Sequence, residues 1–148
     1  MAGDVPGAVL FACSLNAIRS PMAAAIMKHL YGHQVFVASC GVRTGEDDPF
    51  VSVVMEEIGI PLGRHRPQSF DDLDDSNFDM VISLSPEAHH RALELTRTQA
   101  IEAEYWPTLD PSAVAGSREQ ILEAYRSVRD GLYARIRSRF GPLSARGV

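Results

Sequence analysis

The chain has 148 residues, of which 45% are hydrophobic and 22% charged, and a formal net charge of −5. That length suits one domain, spanning residues 1–148, with a core that needs no staples. The acidic balance, with no Lys/Arg-rich run, excludes a polybasic surface for nucleic acid, and no apolar run approaches the ~20 residues of a membrane span.

Residues 7–12 (GAVLFA) form a short apolar run that predicts a buried first strand. Residues 21–31 read as a helix. Ser20 stands as its cap, Pro21 at the first helical position, Met22, Ile26 and Leu30 at helical spacing, and Gly32 after the end. Residues 35–39 (VFVAS) give a second strand. A second helix runs from Asp48 or Pro49 to Ile58, a third strand covers 78–84, and a third helix covers 86–95 behind Ser85. Residues 100–105 are a weaker fourth strand, and 117–140 a long helix interrupted by Gly131. Strictly alternating strands and helices predict a single-domain three-layer α/β/α sandwich around a four-stranded parallel sheet. In such sheets ligands bind beyond the carboxyl ends of the strands. The acidic run at 71–75 (DDLDD) and the arginines of the last helix read as solvated faces.

Cys13 and Cys40 are too few for a disulfide framework, and no His pair at metal spacing accompanies either; no metal or cofactor is expected. The first residues lack the charge of a signal peptide, and the compartment expected is the cytoplasm, where a thiol stays reduced. It is expected as a monomer or weak homodimer.

The segment Cys13-Ser14-Leu15-Asn16-Ala17-Ile18-Arg19-Ser20-Pro21 joins the first strand to the first helix. Backbone N–H groups of such a loop curl around one point at a helix N-terminus, an arrangement that holds a tetrahedral dianion. Arg19 closes the loop and can return its planar fork to two phosphate oxygens. The same positive potential favours the thiolate of Cys13, the nucleophilic form. Ser14, Leu15, Asn16, Ala17, Ile18 and Ser20 would line the cradle. Asp110, in the turn Leu109-Asp110-Pro111, is a candidate acid following a strand end.

Cys13-x-x-Asn16-x-x-Arg19-Ser20-Pro21-Met22-Ala23 resembles the signature of low-molecular-weight protein tyrosine phosphatases and the related thioredoxin-dependent arsenate reductases. Ser39-Cys40-Gly41, His65 and Asp110-Pro111 extend the resemblance over about 110 residues. It implies attack of Cys13 on phosphorus to give a phosphocysteine. Arg19 would hold the equatorial oxygens, and Asp110 would protonate the leaving group and then activate water. Ser20 would donate to the sulfur, and Asn16 would keep the loop strained, with Ser39 and His65 behind it. Implied substrates are a phosphorylated protein, such as a phosphotyrosine protein, or a small phosphomonoester.

The chain departs from that pattern at Leu15 (commonly Gly), Ile18 (often a second Cys), Ala24 (usually Glu), the short polar segment 42–48, and Ser112-Ala113 (two Tyr in eukaryotic-type phosphatases). Three readings follow: a phosphomonoester hydrolase, an arsenate reductase coupled to an external thiol, and a phospho-ligand binding protein with little turnover. Residues 83–100 carry no cysteine, so an internal thiol relay lacks parts, and Cys40 reads as buried packing.

Overall fold

The structure, a computed structural model, describes residues 5–73 and 77–141. In chain order it comprises β1 (Ala8–Cys13), α1 (Arg19–Tyr31), β2 (Phe36–Gly41), α2 (Pro49–Glu57), β3 (Met80–Ser83), α3 (Pro86–Leu95), β4 (Glu102–Tyr105) and α4 (Arg118–Phe140). Short 3₁₀ turns lie at Phe70–Asp72 and Pro111–Ala113. The strands form one parallel sheet in the order β2-β1-β3-β4, the α/β arrangement that the alternation predicts. The chain steps outward from β1 to β2 and then returns past β1 to β3. The reversal leaves a crevice at the carboxyl ends of β1 and β3.

Side chains along a strand alternate between faces, and here that alternation sorts the core. Val9, Phe11 and Cys13 of β1, with Val37, Met80 and Ile82, pack beneath α1, α2 and α4. Leu10, Ala12, Cys40 and Val81 face α3 through Ala88 and Ala92. Each large side chain buried this way contributes about 1.5–3 kcal/mol. β4 is the short edge strand, and its exposed Glu102 discourages further pairing.

Three helices begin with a side-chain cap: Asp48 on α2, Ser85 on α3, and Ser117 in a reciprocal pair with Gln120 on α4. α1 is different. It starts at Arg19, two residues before the expected position, the residue at its cap position is Ile18, and no side chain caps it. Ser20 is therefore not a cap; its hydroxyl points to the sulfur of Cys13 instead. A cap would occupy the N–H groups that an anion needs.

The last helix is continuous through Gly131; Arg118, Arg135 and Arg137 are exposed as expected, but Arg126, Arg129 and Arg139 are not a solvated face. Arg129 is buried against Glu57, Asp130 and the carbonyl of Val54. Arg126 grips Glu57, Glu119 and Glu123, while Arg139 pairs with Glu104. Tyr125 donates to Asp48 at 2.6 Å, which ties α4 to the cap of α2. Of the acidic run, Asp71 and Asp72 are exposed as expected; Asp74 and Asp75 lie outside the described residues.

Candidate active site

Cys13 is the last residue of β1, nearly buried at the mouth of the crevice. The loop after it is fastened from outside. The carbonyl oxygens of Cys13, Ser14 and Leu15 accept hydrogen bonds from the N–H groups of Val42, Arg43 and Gly45, at 3.1, 3.0 and 2.9 Å. The carbonyl of Asn16 takes His65 Nε2 at 2.8 Å. A carbonyl only accepts, so that nitrogen carries the proton. Among the described residues, no N–H from Ser14 to Arg19 donates to a protein acceptor. Tying the acceptors outward while leaving the donors unused is the arrangement that an oxyanion fits.

Asn16 holds this shape. It is fully buried and has a φ of 55°, a left-handed conformation in which Asn is among the residues best tolerated. Its Nδ2 donates to Ser20 Oγ at 2.8 Å and to Ser39 Oγ at 2.9 Å, and its Oδ1 accepts from the N–H of Gln68 at 2.9 Å. Gly41 makes room for the turn: a Cβ there would lie 2.7 Å from the nitrogen of Asn16 and 2.9 Å from the carbonyl carbon of Leu15. Leu15 leans over Gly45 and stays 40% exposed at the rim, so it is accommodated beside the cradle.

Ser20 Oγ lies 3.0 Å from Cys13 Sγ and 3.2 Å from the carbonyl of Cys40. With Asn16 donating to that oxygen, its single proton serves one of the two. A thiolate outcompetes a neutral carbonyl, because hydrogen bonds to ionised acceptors are the stronger. Arg19 donates through Nη1 to the carbonyl of Thr108 at 3.0 Å, which steadies its guanidinium at the pocket wall. A pocket of about 220 Å³ brings together Cys13, Ser14, Leu15, Ala17, Ile18, Arg19 and Asp110. Asp110 Oδ1 accepts from the N–H and hydroxyl of Ser112, at 2.9 and 2.7 Å, which orients the carboxyl on that wall. Asn16 and Ser20 stand one layer behind, and Ser39 and His65 behind them.

Two charged residues at the mouth were not singled out from the sequence. Arg43 follows β2 and Glu87 lies in the first turn of α3; both line the pocket and form a two-pronged ion pair at 2.8 and 3.2 Å. Arg43 and then Ser14 hold the Glu87 carboxyl below its ordinary range. The available signal was position, since both lie just past a strand's carboxyl end. Trp106 belongs to the core, edge-on to Phe11 and beneath Arg135. Glu104 is held by Trp106 Nε1 and Arg139.

Cys40 faces the other side of the sheet from Cys13 and is fully buried; burial, followed by the nearby Cys13, pushes its thiol above the ordinary range. Both cysteines are free.

Residues 8–140 match the family model described as low molecular weight phosphotyrosine protein phosphatase. A glutaredoxin arsenate reductase of Synechocystis sp. is 28% identical over 92% of this chain and 98% of its own length. The structure of an arsenate reductase in a phosphate-binding state superposes with a TM-score of 0.69 at 30% identity, covering 88% of this chain and 93% of that one. A low-molecular-weight protein tyrosine phosphatase from T. tengcongensis, 23% identical, shares the fold with a TM-score of 0.74 over 89% and 96% of the two chains.

Proposed function

From the premise that this chain belongs to the low-molecular-weight phosphotyrosine protein phosphatase family, an enzyme family of cysteine chemistry, we propose that it hydrolyses phosphomonoesters through a phosphocysteine on Cys13. The observation that supports this most is the loop itself. Its carbonyls are tied outward and its N–H groups unused, around a cysteine that shares one pocket with Arg19 and Asp110. In the first step Cys13 Sγ attacks phosphorus in line, and the bond to the ester oxygen breaks as Asp110 gives that oxygen a proton. The loop N–H groups and Arg19 hold the three equatorial oxygens, where charge gathers in the transition state. In the second step Asp110, now a carboxylate, takes a proton from water. The water displaces the thiolate and releases phosphate, and the Ser20 hydroxyl stabilises the departing sulfur.

A reduced Cys13 is essential to this scheme, which favours a cytoplasmic protein. Among the described residues, the rim at Leu15, Arg43, Glu87 and Ser112 carries no aromatic wall, which favours small or flexible phosphomonoesters over a requirement for the phosphotyrosine ring.

A second reading, reduction of arsenate, is favoured by the names of the relatives above. Arsenate would bind the same cradle, where Cys13 Sγ would displace one arsenate oxygen, which leaves as water. Because Cys40 is on the opposite face of the sheet, an external thiol, such as glutathione or a glutaredoxin, would attack Cys13 Sγ. The S–As bond would break so that arsenite leaves with the electron pair, and a second external thiol would reduce the resulting mixed disulfide. The deciding experiment follows p-nitrophenyl phosphate hydrolysis in reductant and chelator by wild type and Cys13→Ser, alongside arsenite formation with glutaredoxin and glutathione. Cysteine-dependent release of nitrophenol supports the hydrolase. Folded wild-type protein that forms arsenite and releases no nitrophenol would replace it with the reductase.

A further inference from the structure

A second cavity, of about 550 Å³, opens on the far side of Asn16 and shares no lining residue with the catalytic pocket. Its charge is one-sided. Lys28 and His29 enter from the last turn of α1, and Arg64 and His65 enter from the turn that follows α2. None of the residues lining it is acidic, in a chain whose net charge is −5. Among the described residues, the side chains of Lys28, His29 and Arg64 have no ion pair or hydrogen bond. Cations at a helix carboxyl end are common, and that accounts for Lys28 and His29. It does not account for Arg64 and His65, which reach the same cavity from another segment.

The wall between these groups is small and apolar, with Ala24 and Ala25 on one side and Ile60 and Leu62 on the other. Like charges gathered over a low-dielectric wall focus a positive potential into the space they enclose. We propose that this cavity is a binding site for a small phosphate-bearing anion with an apolar or ring-like remainder, and that its occupancy acts on the Cys13 loop. The phosphate would engage Lys28, Arg64 and His29, and the remainder would lie on Ile60 and Leu62.

The connection to the loop is short. Ser39 and His65 both line the cavity, and both hold Asn16: Ser39 Oγ accepts from its side chain and His65 Nε2 donates to its carbonyl. The other ring nitrogen of His65 is left for a ligand in the cavity. An anion that accepts a hydrogen bond from that nitrogen holds the ring as an imidazolium, protonated on both nitrogens, whose Nε2–H keeps its grip on Asn16, and with it the left-handed turn of the cradle. This regulatory half rests on the phosphatase reading of Cys13; the binding half does not.

The test is a titration of the isotopically labelled full chain with sulfate, a tetrahedral dianion it cannot turn over, read amide by amide by NMR. Two saturable sets of shifts are expected, one over Ser14 to Arg19 and one over Lys28, His29 and Arg64, with the His65 ring moving with the second. In Lys28→Ala/Arg64→Ala the loop set persists and the cavity set weakens at least tenfold. Cavity amides that do not saturate, or that saturate equally in the double variant, overturn the site. A stationary His65 ring overturns its connection to the loop. A missing loop set alone counts against the catalytic cradle instead and leaves the cavity standing.

Discussion

Cys13 and Cys40 lie on neighbouring strands, one residue apart in register, and project from opposite faces of the sheet. Cys13 is opposite Gly41, and Cys40 opposite Ala12. A disulfide requires Cβ atoms about 3.8 Å apart and pointing toward each other, so these two cannot join while the sheet is intact. Treatment with peroxide, followed by peptide mass spectrometry, is expected to show oxidised Cys13 and no Cys13–Cys40 peptide. Iodoacetamide at pH 8 should alkylate Cys13 and spare Cys40, whose thiol is raised by burial. A Cys13–Cys40 disulfide in natively folded protein would contradict the geometry.

Asn16→Ala removes three side-chain hydrogen bonds from a buried site and leaves Ser39 Oγ and the N–H of Gln68 short of a partner. The expected cost is about 2–4 kcal/mol, from stranded polar groups and from the left-handed backbone that Ala tolerates poorly. Urea denaturation reads the first effect, and turnover should fall together with it. A variant as stable and active as wild type would show that the loop holds its shape without Asn16.

Gly41→Ala touches no catalytic group, yet its Cβ would press on Asn16 and Leu15. Displacing the cradle by part of an ångström should cut kcat by roughly 10²-fold, the scale on which misplaced reacting groups lose rate. Phosphate affinity should fall with it, since the same N–H groups serve both.

Asp110→Asn tests the proposed acid apart from the proposed nucleophile, Cys13. Hydrolysis of phenyl phosphate, which has a poor leaving group, should drop about 10²–10³-fold. Hydrolysis of p-nitrophenyl phosphate should drop much less, because its leaving group departs with little protonation. Equal losses on both substrates would remove Asp110 from the protonation step.

Glu57 joins α2 to α4 through Arg126 and Arg129, and these partners, Arg126 first, lower its carboxyl from 4.5 to about 2. A folded-state value below the unfolded one stabilises the native protein at neutral pH. That contribution is lost as pH falls from about 4.5 towards 2. Glu57→Gln should therefore lower the urea midpoint at pH 7, and the gap from wild type should close across that acid range.

The sheet and the order of its helices were legible in the sequence because apolar runs alternate with helical spacing, and the Cys13–Arg19 segment stood out by its position between a strand and a helix. Other features are set by partners distant in the chain. The start of α1 shifted because Ser20 serves a sulfur, and no local propensity encodes that. Arg129 is buried because Glu57 lies opposite it, 72 residues away. Arg43 and Glu87 meet across 44 residues. The fastening of loop 13–15 by Val42, Arg43 and Gly45 is made by main-chain groups, which have no sequence signature.

The missing cap of α1 also bears on how the protein is kept folded. A helix whose end is completed by what it binds is partly stabilised by its surroundings. An anion that occupies the native cradle and ignores the unfolded chain adds RT ln(1 + [L]/Kd), about 2.7 kcal/mol at a hundredfold excess over Kd. A buffer free of phosphate would then hold a looser molecule than one that supplies it. Its half-life and its susceptibility to proteases would follow the composition of the medium as much as that of the chain.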